Sequence, residues 1–288
     1  MSLLAQRLPL YARLTRLDKP VGTLLLLWPT LTALWMASDG VPGLVLLAVF
    51  VTGTFLMRSA GCAVNDAADA RFDAHVARTA NRVVARGLVS RREALAVAIV
   101  LALAAALLLP LLNLAALQLA FVAVAIAATY PFAKRIFAVP QLYLAVAFSF
   151  GIPMAFAAVL GSVPTVGWVL FMANAFWVVA YDTEYAMVDR DDDLPLGIRS
   201  SAIFFGRFDV AAVMLCYGAF VVLLLAIGSV TDARWPFYAG CCLAAALAIY
   251  HFSLIRDRLR EGCLKAFRHN NWIGLAVFGG TALDYAIR

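Results

Sequence analysis

The stretch that decides the fold is GLVLLAVFVTGTFLMRSAGCAVNDAADARFD, residues 43–73. Its first part, residues 43–63, is an apolar run that contains one charge, Arg58, and a run of this length is enough to cross the hydrocarbon core of a bilayer. Its last part, residues 65–73, holds three aspartates. Acidic side chains beside a bilayer are costly, so they indicate a functional site rather than a requirement of the fold.

The rest of the chain repeats this apolar character. Of its 288 residues, 64% are hydrophobic and 14% are charged, whereas a soluble domain has roughly 25% charged residues. Because the apolar runs are joined by turns and modest loops, we predict a single all-α membrane domain over residues 1–288, a polytopic helical bundle of about nine transmembrane helices. The predicted spans are residues 21–37, 43–63, 94–112, 114–132, 142–160, 164–181, 210–230, 235–254 and 272–287.

Basic residues are distributed unevenly between the two sides that nine spans create. Twenty lysines and arginines fall on the side of the amino terminus, and only Arg234 and Arg288 fall on the other. The positive-inside rule therefore predicts that the amino terminus and the long loops are cytoplasmic, in a multi-pass protein of a bacterial-type inner membrane. Topology and contact with anionic lipid account for the net charge of +6, and we expect no nucleic acid partner.

The first acidic cluster places its carboxylates on one face of a helix. Asp66, Asp69 and Asp73 are three and four residues apart, and an α-helix advances about 100° per residue, so their side chains point the same way. Asn65 precedes them with an amide that can hydrogen-bond to a phosphate oxygen or to a water beside a metal. The cluster therefore predicts a site for a hard cation and an anionic ligand.

The second acidic cluster, from Asp182 to Asp193, follows another predicted span. Asp182, Asp189 and Asp193 are seven and four residues apart, so they too share a helix face. Asp191 and Asp192 point off that face, so a place in a solvated loop is an equal alternative to a role in the site. Four predicted spans separate the two clusters, and this even number puts both on the same side of the membrane, where they can face a common cavity.

Two sparse carboxylate faces favour Mg²⁺ as the cation. Mg²⁺ prefers oxygen ligands, keeps several waters and is commonly bound by one or two carboxylates together with substrate phosphates. A bound diphosphate needs further positive charge, and a lone arginine inside an apolar span is costly unless it faces a cavity. The predicted metal ligands are Asp66, Asp69, Asp73, Asp189 and Asp193, and the predicted anion-binding residues are Arg58, Arg78, Arg82, Lys134 and Arg199. For all of these cations except Arg58, a role in membrane topology alone is an equal alternative.

Short motifs accompany the two acidic clusters along nearly the whole chain. Together with the pattern Asn65-Asp66-x-x-Asp69-x-x-x-Asp73 and the later Asp189-x-x-x-Asp193, they resemble the UbiA superfamily of intramembrane prenyltransferases. Within that superfamily, the 4-hydroxybenzoate polyprenyltransferases of ubiquinone synthesis look most similar. The motifs are LDKPVG (17–22), RSAGC (58–62), RTANR (78–82), YPFAKR (130–135), YDTEYA (181–186) and GIRSSA (197–202).

Two positions depart from the pattern of that superfamily. Asn81-Arg82 is followed by Val83, where the family commonly has proline, and we expect the change to loosen the loop without removing Arg82. Arg199-Ser200 stands where the family has Lys-Ser or Lys-Thr, which keeps a positive charge and a hydroxyl for diphosphate.

The resemblance implies an architecture and a reaction. The architecture is a bundle of nine spans around a central cavity that opens to lipid, with the bilayer as its surroundings. The cofactor is Mg²⁺, the donor is a long polyprenyl diphosphate and the acceptor is 4-hydroxybenzoate. The products are a 3-polyprenyl-4-hydroxybenzoate and diphosphate.

The resemblance also implies roles for individual residues. The metal-binding aspartates would neutralise the leaving diphosphate, and Asp182 would orient the phenol or take the ring proton. Tyrosine rings can stabilise an allylic cation, although core packing is an equal alternative for each of them. The candidates for that role are Tyr130, Tyr181 and Tyr185, and the candidates for binding the acceptor carboxylate are Arg16, Lys19 and Arg58.

Two alternative functions remain open at this point. The same chemistry on another aromatic acceptor, such as a naphthoate or homogentisate, fits the same residues. A cation carrier would place its carboxylates near the bilayer midplane on broken helices, whereas these aspartates lie at span ends among arginines, which favours an enzyme.

Overall fold

The chain folds into helices, and no strand occurs among the residues described. A computed structural model describes the backbone of residues 3–288 and the side chains of residues 7–130 and 136–288. Short 3-10 turns occur at Leu109–Leu111 and Gly206–Phe208. The helices are α1 (Leu3–Leu14), α2 (Val21–Ala37), α3 (Leu44–Asp73), α4 (Arg91–Ala106), α5 (Leu114–Ile136), α6 (Pro140–Ser149), α7 (Gly151–Leu160), α8 (Thr165–Leu196), α9 (Ser201–Phe205), α10 (Asp209–Val230), α11 (Trp235–Ile255) and α12 (Arg260–Ala286).

Two helices, α3 and α8, are longer than a bilayer needs. α3 has 30 residues and α8 has 32, so at 1.5 Å per residue each is about 45 Å long, compared with about 30 Å for the hydrocarbon core. The carboxyl-terminal turns of these two helices carry the acidic clusters. Both clusters are therefore helical, as their spacing predicts, and they continue their spans toward the membrane surface.

The larger hydrophobic core is built around α8. This helix packs against α6, α10 and α12, and its Trp177 and Tyr181 are among the largest fully buried side chains. α2 packs on α7 and α12, and Gly274 of α12 allows the close approach, since an added Cβ there would lie 2.6 Å from Trp28 and 2.7 Å from Trp177. α2, α8 and α12 are thus held at a fixed mutual distance.

The predicted span at residues 142–160 is two helices rather than one. Pro153 has no N–H, so it cannot donate to the carbonyl of Ser149 four residues earlier. The helix is therefore interrupted at Phe150, the residue between α6 and α7.

The loop of residues 74–90, between α3 and α4, is anchored by a second and smaller core. Val83, Val84 and Val89 are buried in this core together with Leu14 of α1. Val83, which stands where the family commonly has proline, is 1% exposed. Its packing therefore holds in place the loop that we expected to be looser without that proline. Ser90 ends the loop as the cap of α4, with its Oγ accepting a hydrogen bond from the Glu93 N–H at 3.1 Å.

The helical segments suit a membrane. In the described part of the chain, six helical segments are long and apolar enough to cross a bilayer, and α2 and most of α5 are shorter apolar helices. Each predicted apolar run lies on a helix, except residues 94–112, which continue from α4 into the 3-10 turn Leu109–Leu111, and residues 142–160, which form the pair α6–α7. The chain is a multi-pass, all-helical membrane protein, and the number nine for its spans stays a prediction.

Candidate active site

A cavity of about 1680 Å³ lies between the helices. α3 lines it from Val49 to Asp73, so it extends along most of that helix, from an apolar end to an acidic one. Leu103 of α4 and Phe121 of α5 also line the cavity, and they are 62% and 64% exposed. The apolar part of the cavity therefore opens through the side of the bundle, where lipid would lie.

The carboxylates of α3 are paired with two arginines at the acidic end of the cavity. Asp66 is 1% exposed and accepts hydrogen bonds from Arg16 Nη2 at 2.7 and 3.0 Å. Arg82 Nη1 lies 3.2 Å from Asp66 Oδ1 and 2.8 Å from Asp73 Oδ2, so it bridges the two aspartates. Asp69 lines the cavity beside them. The carboxylates of Asp66 and Asp73 on the predicted acidic face of α3 are thus paired with positively charged arginines.

The carboxylates of α8 meet a third arginine. Arg78 Nε donates to Asp189 at 2.9 Å to Oδ1 and 3.1 Å to Oδ2, and its Nη1 donates to the Tyr185 hydroxyl. The guanidinium also lies 4.0 Å from the centre of the Tyr185 ring, which stacks on Phe267 of α12 at 4.3 Å. Asp193 lines the cavity one turn further on.

The loop of residues 74–90 brings the two acidic helices together, because its arginines contact both. Burial acts to lower the pKa of Arg78, but Tyr185 and Asp189 outweigh burial, so the pKa lies above its usual value. Burial likewise acts to lower the pKa of Arg82, but Asp73 and Asp66 outweigh it, and the pKa is raised. Both guanidinium groups therefore stay charged at any working pH and supply fixed positive charge.

The predicted metal ligands are divided between two helices. Within the described residues, no three His, Cys, Asp or Glu side chains lie close enough together to hold a metal ion. Asn65 Oδ1 is buried without a hydrogen-bond partner and belongs to the cavity lining. Oxygen donors this sparse fit Mg²⁺ when substrate phosphates complete its coordination. The chemistry of the donor set suits the ion, and the assignment of its ligands stays a prediction.

The remaining predicted residues lie at different depths of the cavity. The Arg58 guanidinium lies 5.7 Å from the centre of the Phe148 ring, and Arg199 Nη1 donates to the Ile136 carbonyl at 3.0 Å. The Lys134 side chain falls outside the described residues. The predicted residues that line the cavity in addition to those above are Lys19, Arg58, Tyr130, Asp182 and Arg199.

The two aspartates that the spacing places off the metal-binding face have different surroundings. The Asp191 side chain is 79% exposed. Asp192 accepts hydrogen bonds from the Ala77 N–H at 3.2 Å and from Arg260 Nη2 at 2.9 Å. Asp192 therefore ties the loop of residues 74–90 to the start of α12, a structural role that the spacing did not indicate.

A protein-family model described as the UbiA prenyltransferase family matches residues 26–273. The chain belongs to the UbiA prenyltransferase family. A relative from Cupriavidus pinatubonensis named 4-hydroxybenzoate octaprenyltransferase is 61% identical over 286 residues, which are 99% of this chain and 100% of the relative. A relative of the same name from Azoarcus sp. is 61% identical over 285 residues, which are 99% of each chain. The resemblance drawn from the motifs is confirmed.

Solved structures of UbiA homologs share the fold. The apo UbiA homolog from Aeropyrum pernix K1 superposes with a TM-score of 0.78 at 27% identity, covering 91% of this chain and 97% of that one. The UbiA homolog from Archaeoglobus fulgidus bound to GPP and Mg²⁺ superposes with a TM-score of 0.71 at 18% identity, covering 93% and 99%. The predicted all-helical membrane fold is confirmed.

This UbiA-family chain also contains a buried polar network that the sequence analysis missed. Glu184 Oε1 accepts from the Tyr217 hydroxyl at 2.9 Å and lies 3.1 Å from His251 Nδ1, and its Oε2 accepts from Asn270 Nδ2 at 2.8 Å. These four residues, the Glu184 network, are at most 1% exposed and join α8, α10, α11 and α12. The signal in the sequence was a histidine inside an apolar span, His251, which is costly there unless paired, whereas Glu184 lies in the second acidic cluster and Asn270 beside other polar residues.

Proposed function

We propose that the chain transfers a polyprenyl group from a polyprenyl diphosphate to the ring carbon ortho to the hydroxyl of 4-hydroxybenzoate, with release of diphosphate, as a step of ubiquinone biosynthesis. One observation carries the proposal: a single cavity joins an acidic and arginine-rich end to an apolar end that opens to the side. That combination suits a substrate with a charged head and a long hydrocarbon tail. The names of the 61% identical relatives support the choice of acceptor.

The diphosphate of the donor would bind at the arginine-rich end. Arg16, Arg78 and Arg82 are held in place by aspartates, so their positive charge is in position before the reaction begins. Preorganised charge of this kind stabilises the negative charge that develops on a leaving group. Mg²⁺, when bound by the aspartates and by the diphosphate, would supply Lewis-acid neutralisation of the same charge.

The bond from the allylic carbon to the diphosphate oxygen then breaks, and its electrons leave with the diphosphate. Tyr185 already has Arg78 over its ring and Phe267 stacked on it, so its part is to hold Arg78 in place. The ring of Tyr130, on the same cavity, would face the allylic cation. Exclusion of water by the apolar lining protects this cation from hydrolysis.

The activated ring carbon of the acceptor forms the new carbon–carbon bond, and its proton must leave. Asp182 lines the cavity one residue after the buried Tyr181, and we propose that it orients the phenol or takes this proton. Arg58, Lys19 and Arg16 are the cations available to the acceptor carboxylate. Arg16 is bound to Asp66 at the diphosphate end, which favours Arg58 for that task.

We also propose an orientation and a domain organisation. The basic loops would lie in the cytoplasm and the bundle in a bacterial-type inner membrane, because twenty of the lysines and arginines fall on one predicted side. Residues 1–288 would form one integral membrane domain.

An activity assay tests the proposal. The purified protein would be incubated with 4-hydroxybenzoate, a polyprenyl diphosphate and Mg²⁺, and the prenylated acid measured. We expect product that disappears with EDTA and in Asp66→Ala, while the exposed Asp191→Ala keeps its activity. Full activity in EDTA or in Asp66→Ala would rule out the metal-assisted mechanism. A naphthoate and homogentisate in the same assay would rank the alternative acceptors, and a series of donors would give the preferred chain length.

A further inference from the structure

Buried polar atoms without partners are concentrated in the cavity. Among the described side chains, four buried nitrogen or oxygen atoms have no hydrogen-bond partner: Arg58 Nε, Asn65 Oδ1, Asn174 Oδ1 and the Tyr181 hydroxyl. Three of these four residues, all except Asn174, line the cavity. A buried polar atom without a partner is costly. Their grouping at one cavity therefore indicates that a ligand supplies the missing partners.

The side chain of Tyr181 is held in one position by the residues packed around its ring. It is 2% exposed, and its ring is held edge-to-face by Trp177 at 5.4 Å and by Phe267 at 6.2 Å. Trp177 is itself held, because its Nε1 donates to Asn270 Oδ1 at 2.7 Å. The ring of Tyr181 cannot turn away without breaking this packing, so its hydroxyl has a set position at the cavity.

The hydroxyl of Tyr181 lies at the depth of Arg58 rather than at the depth of the metal-binding aspartates. Tyr181 precedes Asp189 by eight residues on α8, and Arg58 precedes Asp66 by eight residues on α3. At 1.5 Å per residue, each lies about 12 Å further along its helix, away from the diphosphate end. Arg58, Tyr181 and Asp182 all line the cavity, so the three residues belong to its region away from the diphosphate end.

We infer that the Tyr181 hydroxyl is an acceptor-binding group that donates a hydrogen bond to the carboxylate of the aromatic acid beside the Arg58 guanidinium, an assignment that rests on the proposed function. A carboxylate accepts from both a hydroxyl and a guanidinium, and such charge-assisted hydrogen bonds are short and strong. Arg58 Nε and the Tyr181 hydroxyl would both gain the partner that they lack. An acceptor without a carboxylate would leave both unpaired, so the pair selects aromatic acids.

A matched pair of tyrosine variants tests this inference. Tyr181→Phe removes a hydroxyl that has no protein partner, and Tyr217→Phe removes one that bonds to Glu184 and Asn270. We expect Tyr181→Phe to raise the KM for 4-hydroxybenzoate roughly 10- to 100-fold, the range for a hydrogen bond to a charged group. The KM for the polyprenyl diphosphate and the melting temperature would not change. Tyr217→Phe should lower the melting temperature and leave both KM values unchanged.

A second acceptor shows which group the hydroxyl contacts. 4-Methylphenol keeps the phenol and has a methyl group, which accepts no hydrogen bond, in place of the carboxylate, so its KM should be equal in the wild type and in Tyr181→Phe. An equal rise for both acceptors would place the hydroxyl at the phenol and overturn the carboxylate assignment. An unchanged KM for 4-hydroxybenzoate in Tyr181→Phe would overturn the inference altogether.

Gly22→Ala provides an independent variant if Tyr181→Phe does not fold. An added Cβ at Gly22 would lie 2.9 Å from Arg58 Nε, so it would displace Arg58 without changing any charge. We expect the same acceptor-specific rise in KM, and an unchanged KM would contradict the inference. Wild-type protein that does not prenylate 4-hydroxybenzoate at all would refute the proposed function and the inference with it. Wild-type activity with unchanged KM values in the variants would refute the inference alone.

Discussion

α8 carries two polar regions that differ in how completely their groups are paired. On one side, Glu184 bonds to Tyr217 and Asn270 and lies beside His251 in a network sealed from solvent. On the other side, about 140° around the helix from Glu184, Asp189 faces the cavity. Three residues of that cavity lining hold a buried polar atom without a partner.

We propose that this difference separates a polar region that stabilises the fold from one that binds substrate. Within the Glu184 network, the protein supplies the partners, so a ligand has nothing to add. In the cavity, the arginines and aspartates pair with one another, but Arg58, Asn65 and Tyr181 keep unpaired atoms. Changes on the network side should therefore act on stability, and changes on the cavity side should act on catalysis.

The largest expected effect is on catalysis and comes from Arg78→Ala. This arginine links the loop of residues 74–90 to Asp189 and Tyr185, and its loss removes fixed charge from the diphosphate end. We expect kcat/KM to fall about 10²- to 10³-fold, as for other groups that stabilise developing negative charge.

Arg258→Ala is the matched control for Arg78→Ala. Arg258 bonds to the buried Asp209 at 2.7 Å, away from the cavity. Its removal should lower the melting temperature and leave kcat/KM intact. Equal losses of activity in the two variants would show that any arginine paired with a buried aspartate matters alike, which would break the comparison.

The next effect is on stability and comes from Glu184→Leu. The substitution leaves Tyr217, His251 and Asn270 without their common acceptor inside the bundle. Removal of one partner from a buried polar or ionic group costs about 3–5 kcal/mol, so the free energy of unfolding in detergent should fall by about that amount. Stability equal to that of the wild type, measured by denaturant unfolding, would show that the network does not hold the helices together.

A smaller effect is expected from Asp192→Ala. Asp192 holds the loop of residues 74–90 through the Ala77 N–H and through Arg260, but the pair is partly exposed, and exposed ion pairs contribute about 0–1 kcal/mol. We expect a slightly lower melting temperature and a slightly higher KM for the polyprenyl diphosphate. Asp191→Ala should change neither. A loss of activity in Asp192→Ala as large as in Arg78→Ala would mean that Asp192 belongs to the site itself.

The sequence predicts the part of the site that depends on spacing along one helix. Asp66, Asp69 and Asp73 lie on α3 and all line the cavity, because a helical repeat needs no knowledge of tertiary structure. The basic residues next to the clusters could be named for the same reason. Their partners could not, since whether Arg16 binds Asp66 or an acceptor depends on how α1 meets α3.

The sequence does not predict the contacts that join distant helices. The Glu184 network draws on residues 184, 217, 251 and 270, which are far apart in the sequence and lie on four different helices. The spacing leaves the role of Asp192 open because this residue points away from the predicted metal-binding face, although that direction is what allows it to hold the loop. The break at Phe150 is a local effect of Pro153 that hydropathy alone does not show.

The most direct measurement compares Asp189→Asn with Glu184→Gln. Both replace a buried carboxylate of α8 by an amide of nearly the same shape, and the two positions are five residues apart. Prenyl transfer to 4-hydroxybenzoate and the melting temperature would be measured for both variants. We predict that Asp189→Asn loses activity with little change in melting temperature, because its partner Arg78 keeps a bond to Tyr185, whereas Glu184→Gln keeps activity and melts at a clearly lower temperature. The reverse result, or equal changes in both variants, would contradict the division of α8 into a catalytic side and a packing side.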